Sequence, residues 1–239
     1  MVMHENNMPA GYFITGTDTD VGKTHVASQI IKAFAQSGVA VSGFKPVASG
    51  AQWSAEGWRN SDALSLLGAA SVTLPYEVVN PYCFEPAIAP HIAAKQAGVM
   101  IDQQQITALY KQHVAASELV VVEGAGGWKV PLADELSFDD VALNLGLPVI
   151  LVVGMKLGCI NHALLTEEAI LNKGCRLAGW VANSTSSNFE QLQDNMDALK
   201  KRMQSPCIGA FSYKDSFENN TDLDQQNIVS LLACLTEFR

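Results

Sequence analysis

A chain of 239 residues, 48% of them hydrophobic, is long enough to bury one sizeable α/β core and too apolar for intrinsic disorder. Its 15 Lys and Arg against 24 Asp and Glu give a net charge of −9 and a pI of ≈ 4.9, which disfavours general binding to nucleic acid or to anionic membranes. Apolar runs such as residues 149–153 fall far short of the ~20 residues that a membrane span requires. Residues 1–10 are polar, carry no apolar signal core and read as a flexible N-terminal extension. The cysteines Cys83, Cys159, Cys175, Cys207 and Cys234 form no CxxC pair, so reduced thiols in a cytoplasmic protein are expected.

Residues 11–15 form a short apolar run before a glycine-rich turn and are predicted to be a buried strand. Val26, Ile30, Ile31 and Phe34 then recur at helical spacing through residues 23–36. A second strand is expected over 39–45, followed by a polar, glycine-containing loop near the ligand over 48–60 and a helix over 61–67. A helix over 101–116 leads to the β-branched run 119–123, whose continuity suits a strand buried on both faces. Further along, helices are expected over 138–145, 161–173, 190–203 and 224–236, and strands over 149–153, 178–183 and 207–211. This alternation predicts an α/β fold, a mostly parallel sheet with helices on both faces, in a single domain over 1–239.

The segment Gly16-Thr17-Asp18-Thr19-Asp20-Val21-Gly22-Lys23-Thr24 follows the first strand and opens the first helix, the context of a phosphate-binding P-loop. Backbone N–H groups and the helix N-terminus would cradle phosphate oxygens. Lys23 would reach the β- and γ-phosphates and the Thr24 hydroxyl would bind Mg²⁺. Five residues, Thr17 to Val21, separate the glycines, where the general motif has four. Incidental glycines and a lysine in a turn are the bland alternative.

In parallel α/β sheets ligands gather at the carboxyl ends of strands. Glu123 ends the run Val120–Val122 and precedes Gly124-Ala125-Gly126-Gly127; a carboxylate there could hold Mg²⁺, or could be a solvated strand end. Lys45 ends the second strand in Lys45-Pro46-Val47-Ala48-Ser49-Gly50, and Asp62 follows Arg59-Asn60-Ser61; a surface charge and a helix-capping aspartate are the competing explanations. The five histidines, His4, His25, His91, His113 and His162, show no metal-ligand spacing. No GxSxG elbow marks an acyl-enzyme hydrolase, and no GxGxxG follows the first strand.

Taken together, GTDTDVGKT, KPVASG, NSDAL, VEGAGGW and VGMKLGCINHA resemble the dethiobiotin synthetases of the biotin pathway. The resemblance runs through residues 16–24, 43–50, 60–64, 79–82, 121–131, 148–163 and 178–183. It implies a P-loop NTPase-type fold and a Mg-ATP-dependent ligase that makes a cyclic urea from diaminopelargonic acid and CO₂. One amine captures CO₂ as a carbamate, the carbamate takes the γ-phosphoryl group, and the second amine displaces phosphate as the ring closes.

The resemblance assigns Asp20, Val21, Gly22, Lys23, Thr24 and His25 to the nucleotide, Thr24, Asp62 and Glu123 to Mg²⁺, and Asn183 to the adenine edge. Lys45 would stand between carbamate and phosphate, Ser49 against the reacting groups, and Thr19 beside diamine and triphosphate, so that Lys23, Lys45 and Thr19 carry the catalysis. Gly124, Ala125, Gly126 and Gly127 would line the substrate. Gly158, Cys159, Ile160 and Asn161 of a partner subunit would hold its carboxylate at a helix N-terminus, which implies a homodimer. Asp20 stands where the family often has glutamate, one methylene longer, and Ala210-Phe211-Ser212-Tyr213 replaces its usual Ile-Pro pair, so the base pocket is expected to differ. The alternatives are a related P-loop ligase with another substrate and a MinD- or ParA-like switch ATPase. Against the switch, the P-loop carries no second lysine and residues 224–239 are acidic.

Overall fold

Strands whose side chains are apolar on both faces must be covered on both faces, and this requirement organises the molecule. In the computed structural model, residues 11–187, 191–213 and 232–235 are described. In chain order the elements are β1 (Gly11–Gly16), α1 (Lys23–Gln36), β2 (Val41–Phe44), β3 (Val47–Ser49), β4 (Gln52–Ser54), β5 (Gly57–Arg59), α2 (Ser61–Ala69), α3 (Tyr76–Val79), β6 (Tyr82–Phe84), α4 (Pro90–Ala97) and α5 (Gln103–Ala116). There follow β7 (Leu119–Glu123), β8 (Pro131–Ala133), β9 (Leu136–Ser137), α6 (Phe138–Leu145), β10 (Val149–Met155), α7 (Cys159–Asn172), β11 (Leu177–Ser184), α8 (Leu192–Arg202) and β12 (Cys207–Phe211). The expected N-terminal extension over 1–10 lies outside the described residues, as does the helix expected over 224–236 apart from 232–235.

Six strands form one sheet in the order β12-β11-β10-β1-β7-β2, with every neighbouring pair parallel. Alternation along each strand divides the core in two. Phe13, Val120, Val122, Val149, Leu151 and Val153 face one layer, with Ile106, Val141, Ala163 and Ile170 from the covering helices. Tyr12, Ile14, Leu119, Val121, Ile150 and Val152 face the other, where α1 contributes Val26, Ile30, Ile31 and Phe34. Among the described residues the expected strands and helices are present to within a few residues, the strands because both-faced burial makes their runs unambiguous.

Several elements depart from expectation, among them the short α3, β6, β8 and β9. Residues 48–60, expected as a loop, contain the end of β3 and an antiparallel hairpin, β4–β5, in which Trp53 opposes Trp58. Its three-residue strands, each with a Trp at the centre and partly exposed, are too short to show an alternation. Helix α4 is not among the expected elements either, although Pro90 at its start and the left-handed Gly98 at its end are the usual punctuation of a helix. All five cysteines are free thiols. Among the described residues no helix is long and apolar enough to cross a membrane.

One buried polar node braces the edge of the sheet. His113 of α5 is fully buried, with Nδ1 2.9 Å from Ser42 Oγ of β2, Nε2 3.2 Å from the Val78 carbonyl, and its ring 4.8 Å from that of Phe44. Burial pushes this imidazole down from 6.5 to about 4. The unfolded chain therefore takes up a proton at His113 before the folded one does, and stability contributed by the neutral ring is lost as pH falls from 6.5 towards 4. Chemical denaturation across that window is expected to show a stability decline that His113→Gln reduces; an equal decline in the variant would remove His113 as its source.

Candidate active site

The register of three strands builds the site. Phe44 pairs with Val122, and Ile14 pairs with Glu123. The next residue after β2, Lys45, therefore lands beside Glu123, while the P-loop leaves β1 alongside. Lys45 Nζ lies 2.7 Å from Glu123 Oε1, 3.0 Å from Asp62 Oδ2, and donates to the Gly124 carbonyl at 2.9 Å. Lys45 is 2% exposed and Glu123 0%. Burial alone would lower the Lys45 ammonium, but the two carboxylates outweigh it and hold it above the ordinary lysine value. Burial likewise opposes ionisation of Asp62, and the Lys45 charge overcomes it, leaving that carboxyl below its usual range.

Asp62 reaches this point because α2 starts there and packs tightly. Asn60 caps the helix, its Oδ1 accepting from the N–H groups of Asp62 (3.0 Å) and Ala63 (3.3 Å). Gly43 of β2 allows the approach: a Cβ there would stand 2.7 Å from Leu66 Cβ.

The P-loop closes tightly over β1. Thr17 N–H donates to the carbonyl of Val152 in β10 at 3.0 Å, and Lys23 Nζ crosses the loop to the Asp18 carbonyl at 2.9 Å. Val21 is fully buried beneath the loop. Gly22 turns the chain into α1 with φ 88, and a Cβ there would sit 2.1 Å from Asn183 Nδ2, so glycine is required on both counts. Asp20, at φ 57, also adopts the left-handed region. Thr24 Oγ1 donates to Glu123 Oε1 at 2.8 Å. Burial lowers Lys23 to about 8; the nearby Lys45 charge adds to this, and Glu123, Asp62 and Asp20 only partly offset it.

The structure thus brings Lys23, Thr24, Lys45, Asp62, Glu123 and Gly124 into one cluster. The glycine loop folds against the P-loop. A Cβ on Gly126 would stand 3.6 Å from Thr19 Oγ1, and one on Gly127 would stand 3.7 Å from the Gly16 carbonyl oxygen and 3.9 Å from that of Thr17. Ala125 packs on the core. Ser49 Oγ is buried without a hydrogen-bond partner among the described residues. Asn183, at the end of β11, donates from Nδ2 to the Val21 carbonyl at 2.9 Å and so is tied to the P-loop. His25 meets Phe211 edge-on at 5.2 Å, which places the 210–213 segment beside the start of α1. Gly158, in the left-handed region, opens α7 without a side-chain cap; Cys159 is buried, Ile160 half-buried and Asn161 exposed, and the neighbouring Leu157 is 94% exposed.

Sequence reasoning missed Asp18, Tyr76 and Asn80. Asp18 accepts from Thr19 N–H and pairs with Lys156 at 3.3 Å, joining the P-loop to the turn before α7. Tyr76 and Asn80 belong to a buried network behind Lys45, and only their place in the fold reveals them.

A P-loop at the end of a central parallel strand, with its lysine, hydroxyl and a buried strand-end glutamate converging, defines a nucleotide-binding protein of the P-loop class, and residues 10–221 match the AAA domain family. Two solved structures share the fold. The MinD cell division protein of Aquifex aeolicus aligns over 96% of this chain and 98% of its own, at 14% identity and a TM-score of 0.60. A ParA family ATPase from Chlorobium tepidum aligns over 95% and 91%, at 13% identity and a TM-score of 0.55. Curated relatives are far more similar in sequence. The ATP-dependent dethiobiotin synthetase BioD of Pseudomonas paraeruginosa is 50% identical over 203 residues, 84% of this chain and 89% of the relative. That of Pseudescherichia vulneris is 44% identical over 226 residues, 95% and 94%. Within the AAA domain family the chain belongs to the ATP-dependent dethiobiotin synthetases.

The depressed Lys23 ammonium has a measurable consequence. A polyanion against it favours the charged form, so at and just above pH 8 nucleotide binding is expected to take up a proton. Titration calorimetry in buffers of different ionisation enthalpy measures that uptake; heats that do not vary with buffer would show that Lys23 is already fully charged.

Proposed function

We propose that this chain is an ATP-dependent ligase that converts diaminopelargonic acid and CO₂ into dethiobiotin, with ADP and phosphate as the other products. The observation that carries it is the placement of Lys45, a buried cation between Glu123 and Asp62, beside the P-loop lysine rather than in it. A nucleotide switch needs the P-loop charge alone. A second fixed cation suits a reaction in which a carbamate and a transferring phosphoryl group, both anionic, must be brought together.

Addition of an amine to CO₂ releases a proton and leaves a carbamate, whose oxygen is a poor leaving group. Attack of that oxygen on the γ-phosphorus expels ADP and gives a carbamic–phosphoric anhydride. The second amine then attacks the carbonyl carbon and gives up a proton to the phosphate or to water, and phosphate departs with the C–O bonding pair as the ring closes. Lys45, whose three donors meet Glu123, Asp62 and the Gly124 carbonyl here, would turn from one of them to neutralise the carbamate and the incoming phosphoryl oxygens, and Lys23 with the P-loop N–H groups stabilises charge on the β- and γ-phosphates. Ser49, whose hydroxyl lacks a partner among the described residues, is a donor available to the reacting groups, and Thr19, against the glycine loop, is one for the diamine.

The donor set fits Mg²⁺. Glu123 Oε1 is engaged by Lys45 and Thr24, whereas Oε2 is buried and without a hydrogen bond among the described residues. Thr24, Asp62 and Glu123 would hold the ion, which when bound neutralises the phosphates. Among the described residues no three or more His, Cys, Asp or Glu side chains form a metal cage, and Mg²⁺ needs none, since one or two carboxylates and phosphate oxygens suffice.

The substrate carboxylate is assigned to the N-terminus of α7 in a partner subunit, at Gly158, Cys159, Ile160 and Asn161. An uncapped helix start next to an almost fully exposed Leu157 is a surface that a second copy would cover. Asn183 and the segment around Phe211 take the base side. The protein acts in the cytoplasm as a homodimer.

ADP release from Mg-ATP is expected to depend on the diamine and bicarbonate, with mass spectrometry finding the cyclic urea; turnover indifferent to the diamine would instead indicate a switch ATPase. Lys23→Ala is expected to lower turnover by on the order of 10²–10³ in a protein that still folds, and near-normal turnover would remove Lys23 from the phosphate site. Mixing Asn161→Ala with Lys23→Ala subunits should restore part of the activity, because one site of each heterodimer is intact; no recovery in verified heterodimers would mean that the sites are not shared.

A further inference from the structure

Behind the charged cluster lies a chain of directional hydrogen bonds through Asn60, Tyr76 and Asn80, none of them assigned above to a ligand. The Asn60 N–H donates to Tyr76 Oη at 2.7 Å. The phenol donates to Asn80 Oδ1, 2.9 Å away, and Cys83 Sγ lies 3.5 Å from the phenol oxygen. The Asn80 amide is thereby oriented, and its Nδ2 donates to the Lys45 carbonyl at 2.7 Å and, more weakly, to that of Tyr82 at 3.4 Å. Asn80 is 2% exposed and Asn60 4%. At the other end, Asn60 Oδ1 receives the Asp62 N–H at 3.0 Å and its Nδ2 donates to the Ser49 carbonyl at 3.2 Å. The Arg59 guanidinium stacks 4.1 Å from the centre of the Tyr76 ring and holds it in place.

Three backbone groups at the ends of this chain belong to residues assigned to the reaction: Lys45, Ser49 and Asp62. They come from the end of β2, from β3 and from the start of α2, and no regular ladder of the main sheet joins those three places. Tyr76, Asn80 and the Asn60 side chain do so together, with one hydroxyl and two amides.

We propose that Tyr76 and Asn80 are positioning residues, which tie Lys45 to Asn60 and, through the Asn60 side chain, to Ser49 and Asp62. The proposal rests on the ligase assignment of Lys45, Ser49 and Asp62 given above. Neither side chain reaches the reacting atoms, so their removal should misplace the cation and the carboxylate without weakening the P-loop's grip on nucleotide. Burial raises the Tyr76 phenol, which keeps it protonated and donating across the working pH range.

The test is Tyr76→Phe and Asn80→Asp, each alone and combined with Lys45→Ala. Tyr76→Phe deletes the central hydroxyl. Asn80→Asp keeps the shape but turns the donor that faces the Lys45 carbonyl into an acceptor. Each single variant is expected to lose on the order of 10- to 100-fold in kcat, the scale of a misplacement of about 1 Å, while KM for ATP changes by less than about twofold. Added to Lys45→Ala, either should cost little more, because its effect passes through Lys45 and Asp62 as a unit. Unchanged kcat in a folded Tyr76→Phe protein, or losses that multiply in full with that of Lys45→Ala, would overturn the proposal. Should Asn80→Asp not fold, Tyr76→Phe decides. Should the wild-type protein show no diamine-dependent ADP release, the ligase assignment fails first. A crystal structure of Tyr76→Phe then decides on positioning: displacement of Lys45 from Glu123 and Asp62 supports it, and an unmoved Lys45 overturns it.

Discussion

Two charges out of water must find each other. Glu123 and Lys45 are both buried, and the cost of desolvating either is tolerable only because the other lies 2.7 Å away. Much of the local architecture serves that contact. Strands β2 and β7 have to be neighbours, and in the register that sets Phe44 against Val122. Helix α2 has to approach β2 closely enough to bring Asp62 to the same ammonium, which Gly43 permits and the Asn60 cap directs. Removing one member would strand the rest, so a pair of this kind is a poor source of net stability and a good means of fixing geometry.

Around that contact the site is close to neutral, with Lys23 and Lys45 set against Asp62 and Glu123, although the whole chain carries −9. The balance is uneven. Lys45 keeps its proton because two carboxylates touch it, whereas Lys23, bonded to a carbonyl across the P-loop, is drawn down to about 8 by burial and by Lys45. A polyphosphate against the P-loop supplies the negative charge that Lys23 lacks. Local N–H groups and one poised cation can therefore hold an anion on an acidic protein.

The same sheet carries other functions elsewhere. At 13–14% identity the MinD and ParA structures share the fold with this chain. A shared fold does not fix activity, which lies in the side chains of the site. The P-loop speaks to the nucleotide; in the function proposed above, Lys45, Ser49 and the glycine loop after Glu123 are what would decide where the phosphoryl group goes.

The sequence by itself determined the parallel sheet and the P-loop. Runs such as Val120–Val122 and 149–153 leave no polar face to expose, and a phosphate cradle is built from contiguous residues between one strand and one helix. Neighbouring motifs also marked Lys45, Asp62 and Glu123, but each alone was as consistent with a surface charge or a helix cap. Nothing along the chain announced the β4–β5 hairpin, whose three-residue strands are too short for a period to show. Only the tertiary structure decided that these three charges meet, through the strand order β10-β1-β7-β2 and its register. It alone revealed Tyr76 and Asn80, since a hydrogen-bond chain that runs from residue 45 to 60, 76 and 80 has no signature along the sequence: its logic lies in the distance between atoms, which folding sets.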